Sequence, residues 1–131
     1  MLKTKYILAR IEADDGKRIS VMSRHTLNDG ITPHPKITSK YFDVHIPELG
    51  PPAKLIGDYY KRGLLWDKFE ESYIQYIRRP DIALKVQELA REVISSNSTL
   101  LCIEDSALHC HRRLLAEECK RYQPDLYLSI K

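Results

Sequence analysis

The sequence predicts an α/β fold: a single three-layer-like domain over residues 1–131, with a mostly parallel sheet of about five strands, an N-terminal hairpin and helices on both faces. Three observations carry this reading. The length suits one ordinary domain whose core needs no disulfide or metal. Ile82, Ala83, Val86, Leu89, Ala90, Val93 and Ile94 follow the i, i+4, i+7, i+8 spacing of one buried helical stripe. The last third of the chain reads strand, helix, strand, and such a βαβ unit makes parallel pairs covered by helix.

Each element has its own local reason. Residues 5–12 read as a strand, and 18–24 as its returning partner, because Asp14-Asp15-Gly16-Lys17 between them contains the Asp-Gly hairpin signal. From His25 to Ser39 no period is visible, and Asn28, Asp29, Gly30, Pro33 and Pro35 read as a long loop of the functional kind. Residues 41–46 alternate like a strand, and Pro47 to Pro52 ends it. Ala53 to Arg62 reads as a short helix closed by Gly63. Trp66 to Arg79 reads as a second helix, with Phe69, Tyr73, Tyr76 and Ile77 on one side. Pro80 suits the first turn of a third. Thr99 to Ile103 is a continuous apolar run, as in a strand buried on both faces. Asp105 or Ser106 can cap a helix reaching Tyr122, and 125–130 is the last strand.

Composition narrows the function classes. The net charge is +3, too weak to announce a dedicated nucleic-acid binder. Residues 1–40 carry the excess, 8 Lys and Arg against 4 Asp and Glu, with no polybasic run. No apolar stretch approaches the ~20 residues of a membrane span. The first residues lack the apolar core of a secretory signal. Together with an odd number of cysteines, Cys102, Cys110 and Cys119, this gives a cytoplasmic expectation and no membrane partner.

In open parallel sheets, ligands bind beyond the carboxyl ends of the strands. Arg24 and His25 follow the second predicted strand, His45 and Glu48 the third, and Glu104, Asp105 and His109-Cys110-His111-Arg112 the fourth. If these strands run parallel, arginine, histidine, carboxylate and thiol converge on a helix N-terminus, which favours an anion. Cys110, beside two histidines and an arginine pair, is expected to have a depressed pKa and to act as nucleophile. Cys119 falls on the apolar helical stripe with His111 and Leu115, so it reads as core. Cys102 reads mainly as a small buried hydrophobe. Cys102, His109, Cys110 and His111 offer ligand atoms at no standard zinc spacing. Neighbouring helical residues also splay by about 100°. Neither zinc nor any other cofactor is therefore required.

The segment Leu100-Leu101-Cys102-Ile103-Glu104-Asp105 followed by Cys110-His111-Arg112-Arg113-Leu114-Leu115-Ala116 resembles the signature of the family named domain of unknown function 488. Ser23-Arg24, Ile46-Pro47-Glu48-Leu49-Gly50 and the Phe69/Tyr73 pair are similar to further segments of that family. Two departures stand out: residues 25–40 read as a loop where members place a helix, and Pro51 replaces a glycine. The resemblance implies a compact α/β domain with a site at Cys102, Glu104, Cys110, His111 and Arg112, and no established reaction.

Three readings of that site follow. In the first, an enzyme acts on an anionic, phosphate-bearing or nucleotide-like substrate. Cys110 is nucleophile or redox thiol, His111 or Glu104 acid and base, and Arg112, Arg24 and Cys102 bind the substrate. In the second, the same pocket binds a nucleotide or nucleic acid without chemistry. In the third, Glu104, His111 and Arg112 form a structural polar lock.

Overall fold

The computed structural model describes residues 1–131 and contains one five-stranded sheet in which every pair is parallel. The strands are β1 (Leu2–Tyr6), β2 (Lys17–Ser20), β3 (Val44–His45), β4 (Ser98–Cys102) and β5 (Leu128–Ile130). Their order across the sheet is β3-β2-β4-β1-β5. Four α-helices accompany them: α1 (Ala53–Tyr60), α2 (Trp66–Ile77), α3 (Pro80–Val93) and α4 (His111–Tyr122). The helix predictions for α1 to α3 agree to within two residues at each end. The fourth helix begins at His111, so residues 103–110 form a loop at the end of β4.

The register separates two unlike faces. Leu2 pairs with Leu128, Ile19 pairs with Val44 and Leu100, and the two rows, two residues apart, share one face. Leu2, Ile19 and Leu100 join Leu55, Phe69, Tyr73, Ile77, Val86, Leu89, Leu115 and Cys119 in a single apolar cluster, so all four α-helices cover that face. Lys3, Lys5, Arg18, Thr99 and Leu101 point to the other. That face is covered by 3₁₀ turns at Ala13–Asp15 and Ser39–Tyr41 and by the loops around them. Both faces are thus shielded, but by different material.

The expected N-terminal hairpin is not present: β4 lies between β1 and β2, and all three run the same way. The reason is electrostatic. The Asp15 carboxylate, 1% exposed, meets Lys3 at 3.3 Å, Lys5 at 3.1 Å and Arg18 at 2.5 Å. Those cations come from alternate positions of two strands, and one buried carboxylate holds them together only if the turn folds over the sheet face. Gly16 then takes φ +62° where a Cβ would lie 1.9 Å from the Asn97 carbonyl oxygen. The Asp-Gly pair therefore seats β2 beside the start of β4 instead of reversing the chain.

Crossovers toward β3 leave β1 and β2 over the second face, whereas those leaving β3 and β4 run back over the helical face. The connections of neighbouring β2 and β4 diverge. A crevice opens at their carboxyl ends, the switch point at which α/β sheets place ligands.

Candidate functional site

A cavity of about 370 Å³ occupies this crevice. Its floor is Cys102, Cys110 and His111; its walls come from α1, the start of α2, the loop after β4 and the segment following β2. Cys102 ends β4 on the helical face, in register with Tyr6. Cys110 is the N-cap of α4 and His111 its first residue. Cys110 has extended dihedrals, φ −140° and ψ 139°, so the helical splay expected between Cys110 and His111 does not apply. The ligand atoms of Cys102, Cys110 and His111 lie within 4.8 Å of one another. They are the one group here that could hold a soft cation, because His111 also has the second hydrogen bond that metal-binding histidines use.

That hydrogen bond sets the chemistry. His111 Nε2 donates to the Val21 carbonyl at 2.7 Å, which assigns the proton to Nε2 and leaves a lone pair on Nδ1. Nδ1 lies 3.7 Å from the Cys102 sulfur and can accept its proton. Tyr73 holds the imidazole edge-on at 5.3 Å between centroids. The two floor thiols then diverge. Cys102 is drawn below the ordinary thiol range. The neighbouring Cys110 thiol, the backbone N–H groups of Glu104 and Ile103 and the charge of Arg112 all favour its thiolate. Together these outweigh burial. Cys110 is pushed well above the range by burial and by its role as donor to Cys102. The thiol expected to be acidic is therefore the less acidic of the two. Cys119, in the helical core, is raised to about 12 by burial.

The other expected residues divide into lining and framework. Glu104 lines the cavity and accepts a hydrogen bond from the Tyr60 hydroxyl, whose own ionisation is pushed far up by burial and that carboxylate. Arg24 lines it too, exposed and with no carboxylate partner. Its guanidinium rests on the Cα of Gly30, where a Cβ would come within 2.8 Å. Arg112 is fully buried and is not part of the lining. Its guanidinium donates to the Glu104 carbonyl at 2.5 Å and the Lys131 carbonyl at 3.0 Å, pinning the loop after β4 to the end of the chain. His25 and His45 stack on each other at 4.0 Å beside Phe42, outside the lining, and burial lowers His25 to about 4.

Several lining residues escaped the sequence reading. Tyr59, Tyr60, Trp66 and Phe69 form an aromatic wall, and His109 stacks on Trp66 at 4.8 Å. Lys61, exposed and unpaired, stands at the rim. The signal was the density of rings between Tyr59 and Phe69, split by a Lys-Arg-Gly turn. Residues 25–40 do not form a helix. They fold back as a tongue through a Thr26–Pro33 bridge and an Asp29-centred turn, which brings Thr26, Leu27 and Asn28 over the cavity.

No curated protein and no solved structure matches the chain. One family model does, described as the active DUF488-N3 subclade, over residues 2–123. With nearly the whole length matched, the chain belongs to the DUF488 family.

Proposed function

We propose that this protein is a thiol-dependent enzyme in which Cys102 attacks an anionic substrate carrying a flat ring, of the nucleotide type. The carrying observation is that Cys102 lies on the floor of the crevice between β2 and β4 with a proton acceptor, His111 Nδ1, 3.7 Å from its sulfur. The aromatic wall suits a planar ring. Arg24 and Lys61, with no acidic partners, suit a phosphate or carboxylate at the rim. The word active in the family's description accords with retained chemistry.

In this reading Cys102 passes its proton to Nδ1 of His111. The thiolate sulfur bonds to the electrophilic atom of the substrate, and the bond to the leaving group breaks. The leaving group departs with the proton from His111. Water, deprotonated by Glu104, then cleaves the bond to sulfur, and the proton returns to the thiolate. Cys110 keeps its proton and donates to the sulfur whenever it is charged. Arg112 and the positive end of α4 favour the thiolate without touching substrate. Three free, buried cysteines accord with a reducing compartment. No helix is long and apolar enough to cross a membrane.

Thermal-shift titration with nucleoside monophosphates, diphosphates and inorganic phosphate tests the substrate class. A nucleotide is expected to raise the melting temperature more than phosphate alone. Arg24→Ala and Lys61→Ala should each weaken it by about tenfold, the effect of one charge-assisted contact. Cys102→Ser should keep binding and lose turnover. Turnover that survives Cys102→Ser would end the proposal. Salt-sensitive binding with no turnover in the unaltered protein would instead select the non-catalytic binding module, which the same unpaired cations favour.

A further inference from the structure

The floor contains a second thiol that the proposed reaction uses only as a hydrogen-bond donor. Cys110 is 2% exposed, contacts Cys102 within one cluster, and lies across the mouth of the loop 103–110 from it. Their sulfurs fall within the 4.8 Å limit that the floor trio satisfies. A disulfide needs the sulfurs near 2 Å, so one side chain has to turn. Cys110 is free to do so: as N-cap it makes no side-chain capping bond, so its rotation leaves α4 intact. Cys119, two turns further along α4, is sealed in the helical core and is not a rival partner.

We propose that Cys102 and Cys110 form an oxidisable pair, in which Cys110 resolves a peroxide-oxidised Cys102 as an intramolecular disulfide. This rests on the reading of Cys102 as the reactive thiol. The steps balance. A hydroperoxide, ROOH, transfers one oxygen to the Cys102 thiolate: the O–O bond breaks, ROH leaves with a proton, and the sulfur becomes a sulfenic acid, oxidised by two electrons. The Cys110 sulfur, losing its proton, then bonds to Cys102 sulfur and expels the hydroxyl as water. His111 Nδ1 accepts the Cys102 proton before the first step and gives it to the alkoxide that leaves as ROH; in the second step the proton lost by Cys110 goes to the expelled hydroxyl, which departs as water. The disulfide hides the nucleophile and protects it from irreversible oxidation. A dithiol reductant restores it.

The test treats the full chain with hydrogen peroxide, metal chelated, and follows it by intact mass and peptide mapping. The expected product is lighter by about 2 Da, with Cys102 joined to Cys110, and reverses with dithiothreitol. Cys110→Ser, its fold checked by circular dichroism, should instead accumulate Cys102 with about 32 Da of added oxygen. Unaltered protein that goes directly to that over-oxidised form, or joins either thiol to Cys119, overturns the pair. A parallel iodoacetamide arm separates the two readings. If Cys102 alkylates but never joins Cys110, only the pair fails. If Cys102 resists both reagents, the nucleophile fails and the pair with it.

Discussion

Arg112 shows how a single residue can matter to a site it does not touch. A guanidinium with no exposure, two carbonyl partners and an unpaired Nε is a buried charge held by backbone alone. Its field reaches Cys102, and its hydrogen bonds fix the loop that supplies the Glu104 backbone contact to that sulfur. Arg112→Ala is therefore expected to lower stability by about 2–4 kcal/mol, measured by urea unfolding. In the surviving folded fraction, Cys102 alkylation should need higher pH. Unchanged stability would remove the framework role. His111→Ala should slow Cys102 alkylation at neutral pH by removing the proton acceptor, with the thiol still present; equal rates would separate the histidine from the thiol. At this scale the sequence pointed to Cys102, Glu104, Cys110 and His111, which the structure gathers around one cavity, and expected the thiol acidity on Cys110 where the surroundings favour it on Cys102. The sequence shows that Cys102 and Cys110 flank one loop, but not which sulfur receives hydrogen bonds. That depends on the extended N-cap conformation of Cys110. Arg112 was legible both as an anion-binding residue and as a member of a buried polar lock, and its inward direction accords with the second.

Elements with a period were readable; those that depend on distant partners were not. The stripe from Ile82 to Val93 makes its own helix and buries it, so α3 follows from local pattern. The Asp14-Asp15-Gly16 turn looks the same in sequence whether it reverses a hairpin or carries Asp15 over a sheet face. What decides is Lys3, Lys5 and Arg18 gathered from two strands that β4 separates. Asp15→Ala leaves those cations buried without their shared carboxylate and should cost about 3–5 kcal/mol by chemical denaturation. A loss under 1 kcal/mol, the size of an exposed pair, would contradict this account. Acid should probe the same group. Burial alone would raise the Asp15 carboxyl, but the Glu12 backbone N–H and the Lys5 and Lys3 ammonium groups outweigh it and hold it at about 2. Glu118, bridging Arg78 and Arg121, is held at about 2 as well, its two arginines outweighing burial. A carboxylate depressed by folding contributes stability above its unfolded value, near 4. That contribution is lost as pH falls through the folded value. Stability should therefore decline between about pH 4 and pH 2, and the Asp15→Ala variant should show a shallower decline than the parent.

For the molecule as a whole, strand order decides where function can sit. With β4 placed between β2 and β1, the connections after β2 and β4 part, and the crevice, the acidic thiol and the start of α4 coincide. The rule that parallel strands gather their carboxyl ends anticipated Arg24, Glu104, Cys110 and His111 at one edge. Strand order itself was hidden, because it comes from contacts between segments as far apart as Tyr6 and Cys102. The aromatic wall was hidden for a similar reason: rings on a short helix read as core until the sheet end shows an empty space beside them. The claim on which this picture depends is that Cys102, not Cys110, is the reactive thiol. The most direct test is the alkylation rate of the native, metal-free protein against pH, with each cysteine followed by peptide mapping. The account predicts that Cys102 reacts first, with a midpoint below that of a free thiol, while Cys110 and Cys119 stay protected until the protein unfolds. Cys110 reacting first, or no cysteine reacting before unfolding, would contradict it.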